Sequence, residues 1–286
     1  MFIKYLGFCC LKHTSSSQRQ YPTVIEELRH KFSLVKLRKS TNNFDENRIL
    51  GSGSIGTVYK GSLQLDGATD DRVAIKQIDV SNNQNLKEFK NEIEMLCQLR
   101  HPNLVSLLGF CDHKDEKYVV YEYMANGSLH DHLYCGDVKR EPLTWKQRLK
   151  ICIGAAHGLH YLHTGTHGYV APEISQNNTL TDKCDVYSFG VVLLEVVCTD
   201  KLKFVEKRQR HPVEVNIDPN LKGNIAPECW EVFVDITERC LNYDPNERPT
   251  MGEVEVQLEL ALSLQEEADI RNTCDDYTLL SMTIIN

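Results

Sequence analysis

The residues with the clearest chemical meaning lie in the first third of the chain. Gly51-Ser52-Gly53-Ser54-Ile55-Gly56 is a G-x-G-x-x-G run, a spacing that lets backbone amides approach phosphate oxygens with no side chain in the way. Dinucleotide-binding folds use the same letters, but they require a helix N-terminus directly afterwards. Here Thr57-Val58-Tyr59-Lys60-Gly61 follows, and its β-branched and aromatic residues are strand formers. The glycines are therefore expected at a hairpin tip, and a dinucleotide-dependent oxidoreductase fails on this point. Val73-Ala74-Ile75-Lys76 comes next, with Glu92 further along. A lysine on such a strand can meet phosphate oxygens while a glutamate on the following helix fixes its position.

A second constellation is His157, His160, His163 and His167. Three-residue steps keep the first three loosely on one side of a helix, but the neighbouring sequence offers no acidic or cysteine partner to complete a ligand set. No metal site is expected there. Eleven cysteines are present, with no C-x-x-C and several inside apolar stretches such as Val191 to Cys198. That pattern suits reduced, buried thiols in a cytosolic protein rather than a disulfide framework or zinc site.

The elements that must carry these residues alternate in a readable way. Thr57 to Leu63 and Arg72 to Ile78 are strand-like runs, as are Val105 to Cys111 and Lys117 to Tyr121. Between them, Asn85 and Glu88 stand in capping-box positions, and Leu86, Phe89, Ile93 and Leu96 form one helical face. Past Gly127 the chain turns helical. Thr144 and Gln147 suggest a second capping box before the stripe Trp145, Leu149, Cys152, Ala156 and Leu159. Val186, Phe189, Leu193 and Val196 mark a central helix, and Thr250 with Glu253 caps a last one whose inner face is Val254, Leu258 and Leu262. An α+β, bilobal architecture follows: an antiparallel β lobe, then a helical lobe.

Taken together, these motifs resemble the eukaryotic protein kinases, and specifically plant receptor-like kinases of the malectin-domain type. The resemblance runs from Phe44 to about Gln265. It rests on Thr41-Asn42-Asn43-Phe44, the glycine run, V-A-I-K, Arg100-His101-Pro102-Asn103-Leu104-Val105, Tyr121-Glu122-Tyr123-Met124, Ala171-Pro172-Glu173, Asp185-Val186-Tyr187-Ser188-Phe189-Gly190 and Arg248-Pro249. It implies ATP as the ligand of Gly51, Gly53, Gly56, Lys76 and Glu92, with Val58 and Ala74 above the base. Tyr121 becomes the gatekeeper, and Glu122 to Met124 the hinge that bonds adenine. It also implies that Asp185 holds the catalytic-loop backbone and that Glu173 pairs with Arg248.

The resemblance breaks where the chemistry should be. After Tyr161-Leu162-His163 the family continues through H-R-D, its Asn and D-F-G before reaching A-P-E. Here only Thr164 to Gly168 separate His163 from Tyr169. The catalytic Asp and the residues that hold Mg²⁺ are absent, so the Mg²⁺ site is expected to be lost and phosphoryl transfer with it. Asp182, Asp185 and Glu173 are the nearby acids. Asp185 is expected to lose its partners, and the helical lobe to hold its form less well than the β lobe. A second shortening falls at Thr199 to Arg210, a charged stretch without the family's apolar helix.

Two readings stay open. One is a catalytically inactive kinase-like scaffold that binds active receptor kinases or signalling proteins. The other is a splice form or faulty gene assembly of an active Ser/Thr receptor-like kinase.

Composition agrees with a folded protein and sets aside nucleic acid. Of 286 residues, 41% are hydrophobic and the formal net charge is −8, which gives no overall field to attract a polyanion. Four segments are expected: a basic leader 1–43 with local charge +6, an N-lobe 44–124, a truncated C-lobe 125–265, and an acidic tail 266–286. No stretch is apolar enough to span a bilayer. Cys9 and Cys10, beside Lys4 and Lys12, are candidates for palmitoylation at the inner face of the plasma membrane. Phe2 in place of glycine excludes N-myristoylation.

Overall fold

The computed structural model describes residues 30–53, 55–65, 71–81, 83–114, 116–134, 141–165, 172–198, 217–272 and 277, with backbone alone for 30, 165 and 172–181. They fall into two units, and the chain passes from one to the other between Asn126 and Gly127.

The first unit is a six-stranded sheet in the order β1-β5-β6-β4-β3-β2. Its strands are β1 (His30–Lys31), β2 (Ile49–Gly53), β3 (Gly56–Leu63), β4 (Asp71–Ile78), β5 (Leu107–His113) and β6 (Glu116–Glu122). All pairings are antiparallel except the short β1–β5 contact. The register sets Val58 opposite Lys76, Ala74 opposite Tyr121 and Lys76 opposite Val119. Directly opposed residues share a face and alternate residues do not, so Val58, Ala74, Lys76, Val119 and Tyr121 lie on one side.

Helix α2 (Asn83–Gln98) covers that side with Phe89, Ile93 and Leu96, packed with Val119 and Tyr121. The other side carries Val73, Ile75, Tyr118 and Val120 against Phe32 and Leu37, the latter on α1 (Leu34–Ser40). Both faces are therefore buried.

Two expectations change here. Asn85 is not the cap of α2, which begins two residues earlier. It is buried inside the helix, and its Nδ2 donates to Asp79 O at 2.9 Å, tying the helix to the end of β4. Residues 30–43, expected as part of a leader, are built into the sheet's second core. Thr41-Asn42-Asn43-Phe44 is the joint: Asn42, Asn43 and Phe44 all have positive φ, and Phe44 N–H donates to Thr41 Oγ1 at 3.0 Å. Phe44 thereby stacks on Tyr118 with ring centroids 4.9 Å apart. Asparagine tolerates this backbone region and phenylalanine rarely visits it, so the stack offsets local strain.

The second unit is helical: α3 (Leu129–Tyr134), α4 (Trp145–Gly165), α5 (Pro172–Val197), α6 (Pro227–Cys240) and α7 (Met251–Arg271). The Thr144 box forms, with Thr144 N–H on Gln147 Oε1 and Gln147 N–H on Thr144 Oγ1. The Trp145 stripe is buried as expected. Trp145 meets Phe233 edge-on at 4.9 Å and donates its indole N–H to Cys229 Sγ. At Gly190 an added Cβ would lie 2.8 Å from Cys240 Cβ, so α5 and α6 touch where only glycine fits.

Arg148 is the polar centre of this unit, donating to Leu143 O, Val196 O and Asp218 Oδ2. The inner face of α7 is Met251, Val254, Leu258, Ala261, Gln265 and Ala268. Leu262, expected there, is only half-buried, because the helical repeat carries Ala261 and Gln265 inward instead. The expected tail is also partly structural: α7 runs through Arg271, and Tyr277 is buried with its hydroxyl on Asp269.

Candidate functional site

The glycine run sits where its strand context demands, at the β2–β3 hairpin tip, with Gly53 paired to Gly56. The three glycines differ in what requires them. Gly56 has φ +151°, and a Cβ there would stand 1.8 Å from Gln77 O; the sheet itself excludes a side chain. Gly51 and Gly53 have nothing within 4 Å of an added Cβ, and their φ is not in the left-handed region. Neither packing nor backbone accounts for glycine at these two positions.

Below the hairpin, Lys76 Nζ lies 3.0 Å from Glu92 Oε2, with side chains 6% and 16% exposed. The other Glu92 oxygen accepts from the Tyr121 hydroxyl. One carboxylate from α2 thus joins adjacent strands β4 and β6. A charge pair this deep is held only because its hydrogen bonds are met. The pair fixes the lysine in direction. Val58 and Ala74 lie half-buried beside it on the same face. Glu122 donates its N–H to Ser106 O, and its side chain accepts from Ser106 N–H; Met124 follows two residues on, half-buried. Ile55, at the loop tip, packs against the α2-side core.

These groups fit a nucleotide's phosphates and base: bare backbone at Gly51 and Gly53, an oriented cation at Lys76, and a strand end at Glu122. For Mg²⁺ the fit is missing, since the sequence holds no H-R-D, no following Asn and no D-F-G.

In the second unit Asp185 is not left without a partner. Its Oδ2 lies 3.1 Å from His163 Nε2, with Asp182 at 3.9 Å from the same nitrogen. The expectation of an orphaned carboxylate is corrected by this histidine, in the last turn of α4. Arg248 donates to Asn242 O, Lys183 O and Tyr243 O and lies 4.8 Å over the Tyr187 ring. The Glu173 backbone lies in the first turn of α5, while its side chain is outside the described residues. So are Cys9, Cys10, His167 and the shortened stretch 199–210.

The cysteines behave as expected. Cys97, Cys111, Cys152, Cys198, Cys229 and Cys240 are free and buried, and only Cys184 is exposed among the described residues. Burial pushes the Cys152 thiol up to about 12, so it stays protonated and unreactive.

Two contacts escaped sequence reasoning. The Tyr121–Glu92 bond could have been found from strand register, given the pairing. The acidic partners of His157 and His160 could not, because Glu255 and Glu259 come from α7, about a hundred residues away.

A two-sided β unit carrying this lysine–glutamate pair, followed by a helical unit, defines a protein-kinase-like architecture. The family model "protein tyrosine and serine/threonine kinase" matches residues 44–168 and 165–258, and the chain belongs to that family. Among curated relatives, the receptor-like protein kinase ANXUR2 of Arabidopsis thaliana is 40% identical over 301 residues, covering 84% of this chain and 34% of the relative. The receptor-like protein kinase FERONIA of the same plant is 39% identical over 312 residues, covering 87% and 34%. The kinase domain is thus of receptor-like type, and the chain spans about a third of the length of these relatives. Among the described residues no helix is long and apolar enough to cross a membrane.

Proposed function

We propose that this chain is a receptor-like kinase domain that binds ATP weakly, transfers no phosphoryl group, and acts by docking to active receptor kinases or their signalling partners. The observation that carries the reading is the junction. The family match breaks into two stretches that meet at residues 165–168. The ANXUR2 alignment spans 301 residues yet uses 84% of a 286-residue chain, so roughly sixty of its positions face no residue here.

In this reading the segment that would hold the catalytic Asp, the Asn and the D-F-G Asp is absent at that junction, where His163 and Tyr169 are separated by five residues. Phosphoryl transfer depends on positioning and on electrostatic stabilisation by the metal. When bound, Mg²⁺ would offset the charge of the phosphates; the H-R-D, Asn and D-F-G residues that would hold it in the family do not occur in the sequence.

What survives is binding chemistry. Gly51 and Gly53 leave backbone N–H groups accessible to phosphate, Lys76 supplies positive charge held by Glu92, and Glu122 to Met124 offer the adenine edge. The inner face of the plasma membrane is the proposed location, with acyl groups on Cys9 and Cys10 and the local positive charge of residues 1–43 as its two signals.

A thermal-shift titration with ATP, with and without Mg²⁺, tests this. The expected result is a small rise in Tm that Mg²⁺ does not enlarge and that Lys76→Ala abolishes. No response to ATP in either condition would remove nucleotide binding from the account.

A further inference from the structure

His157 and His160 lie on α4, and Glu255 and Glu259 lie one turn apart on α7. His157 Nε2 is 3.3 Å from Glu255 Oε1 and 3.2 Å from Glu259 Oε1, and one ligand atom from each of the three lies within 4.8 Å of the others. The second Glu255 oxygen is 2.6 Å from His160 Nδ1. Gly252, one turn earlier on α7, makes this approach possible, because a Cβ there would stand 3.1 Å from the His160 ring. Among the described residues, neither Glu255 nor Glu259 pairs with a lysine or arginine.

One imidazole nitrogen facing two carboxylates is poorly served by a proton alone. A single N–H must be shared between both acceptors, and a bare lone pair would face two anions. A cation between the three atoms satisfies all of them. A tetrahedral Zn²⁺ with bonds of about 2.0–2.1 Å sets its ligands about 3.3 Å apart, and two of the three separations already have that value. Imidazole with carboxylates suits Zn²⁺ and its first-row neighbours over Mg²⁺ or Ca²⁺. Glu259 is 53% exposed and His157 32%, which leaves an entry path from solvent.

We propose that His157, Glu255 and Glu259 form a binding site for a Zn²⁺-class divalent cation that clamps α4 to α7. His160 holds Glu255 in orientation through its second oxygen, and solvent completes the coordination. The site is independent of the nucleotide-binding reading.

The test is Co²⁺ titration of the full chain, followed by visible spectroscopy. One equivalent should give a d–d band without a thiolate charge-transfer band, and Zn²⁺ should displace it. His157→Ala and Glu259→Gln should lose the band, while His160→Phe should weaken binding by about 10- to 100-fold. Because Glu259 is half exposed, Glu259→Gln should keep the metal-free Tm, so it carries the test even if His157→Ala fails to fold. A band that persists in Glu259→Gln, a thiolate-type spectrum alone, or no band in excess Co²⁺ overturns the proposal.

Discussion

At the residue scale, the glycines separate structure from binding. Gly56 is required by Gln77 O, whereas Gly51 and Gly53 have open space around them. Gly56→Ala is therefore expected to lower Tm strongly by breaking the β3–β4 pairing. Gly53→Ala should leave Tm within a degree or so and reduce the ATP-induced shift. Melting curves of both variants, with and without ATP, check this; equal loss of Tm would contradict it.

Asp218 gives a second residue-level test. Burial alone would raise its carboxyl, but the Asn220 N–H and the Arg148 guanidinium outweigh that and hold it below its ordinary value. A depressed carboxyl contributes stability that is fully present above the unfolded value of about 4 and is lost as pH falls through the folded one. Asp218→Asn should accordingly destabilise at pH 7 and flatten the acid limb of the stability curve. An unchanged acid limb would mean that this pair does not set it.

At the element scale, the helix starts were legible because their signals are local. Thr144 with Gln147 and Thr250 with Glu253 both form the reciprocal bonds their spacing implies. Thr250→Ala should cost about 0.5–2 kcal/mol by denaturant unfolding, as other N-cap truncations do. No loss would show that packing of Val254 and Leu258 alone fixes α7.

The misreading of Asn85 has a physical cause. Its amide bonds backward to Asp79 O, a tertiary contact that resembles a cap only in sequence. The strands and the lysine–glutamate pair were legible from alternation and motif spacing. The Tyr121 link and the α4–α7 histidine–glutamate contacts were not, since partners brought together by packing leave no periodicity in the sequence. Residues 30–43 were hidden for a similar reason: the segment turns Phe32 and, on the charged helix α1, Leu34 and Leu37 to the core, too few for a visible stripe.

At the scale of the whole molecule, the proposed function leaves the chain one half of a kinase's chemistry. The β unit holds Lys76 against Glu92 with both side chains largely buried. The helical unit has a core around Arg148 and Trp145, and His163 pairs with Asp185. Between His163 and Tyr169 the sequence holds neither H-R-D nor D-F-G.

The central claim is that binding elements persist without transfer. It is tested most directly by incubating the purified full chain with Mg²⁺ and ATP labelled on the γ-phosphate, with a general protein acceptor, beside the Lys76→Ala variant. The account predicts label incorporation, into the acceptor or the chain itself, no greater than in Lys76→Ala. Incorporation that depends on Lys76 would contradict it and show that another acid has taken over the missing role.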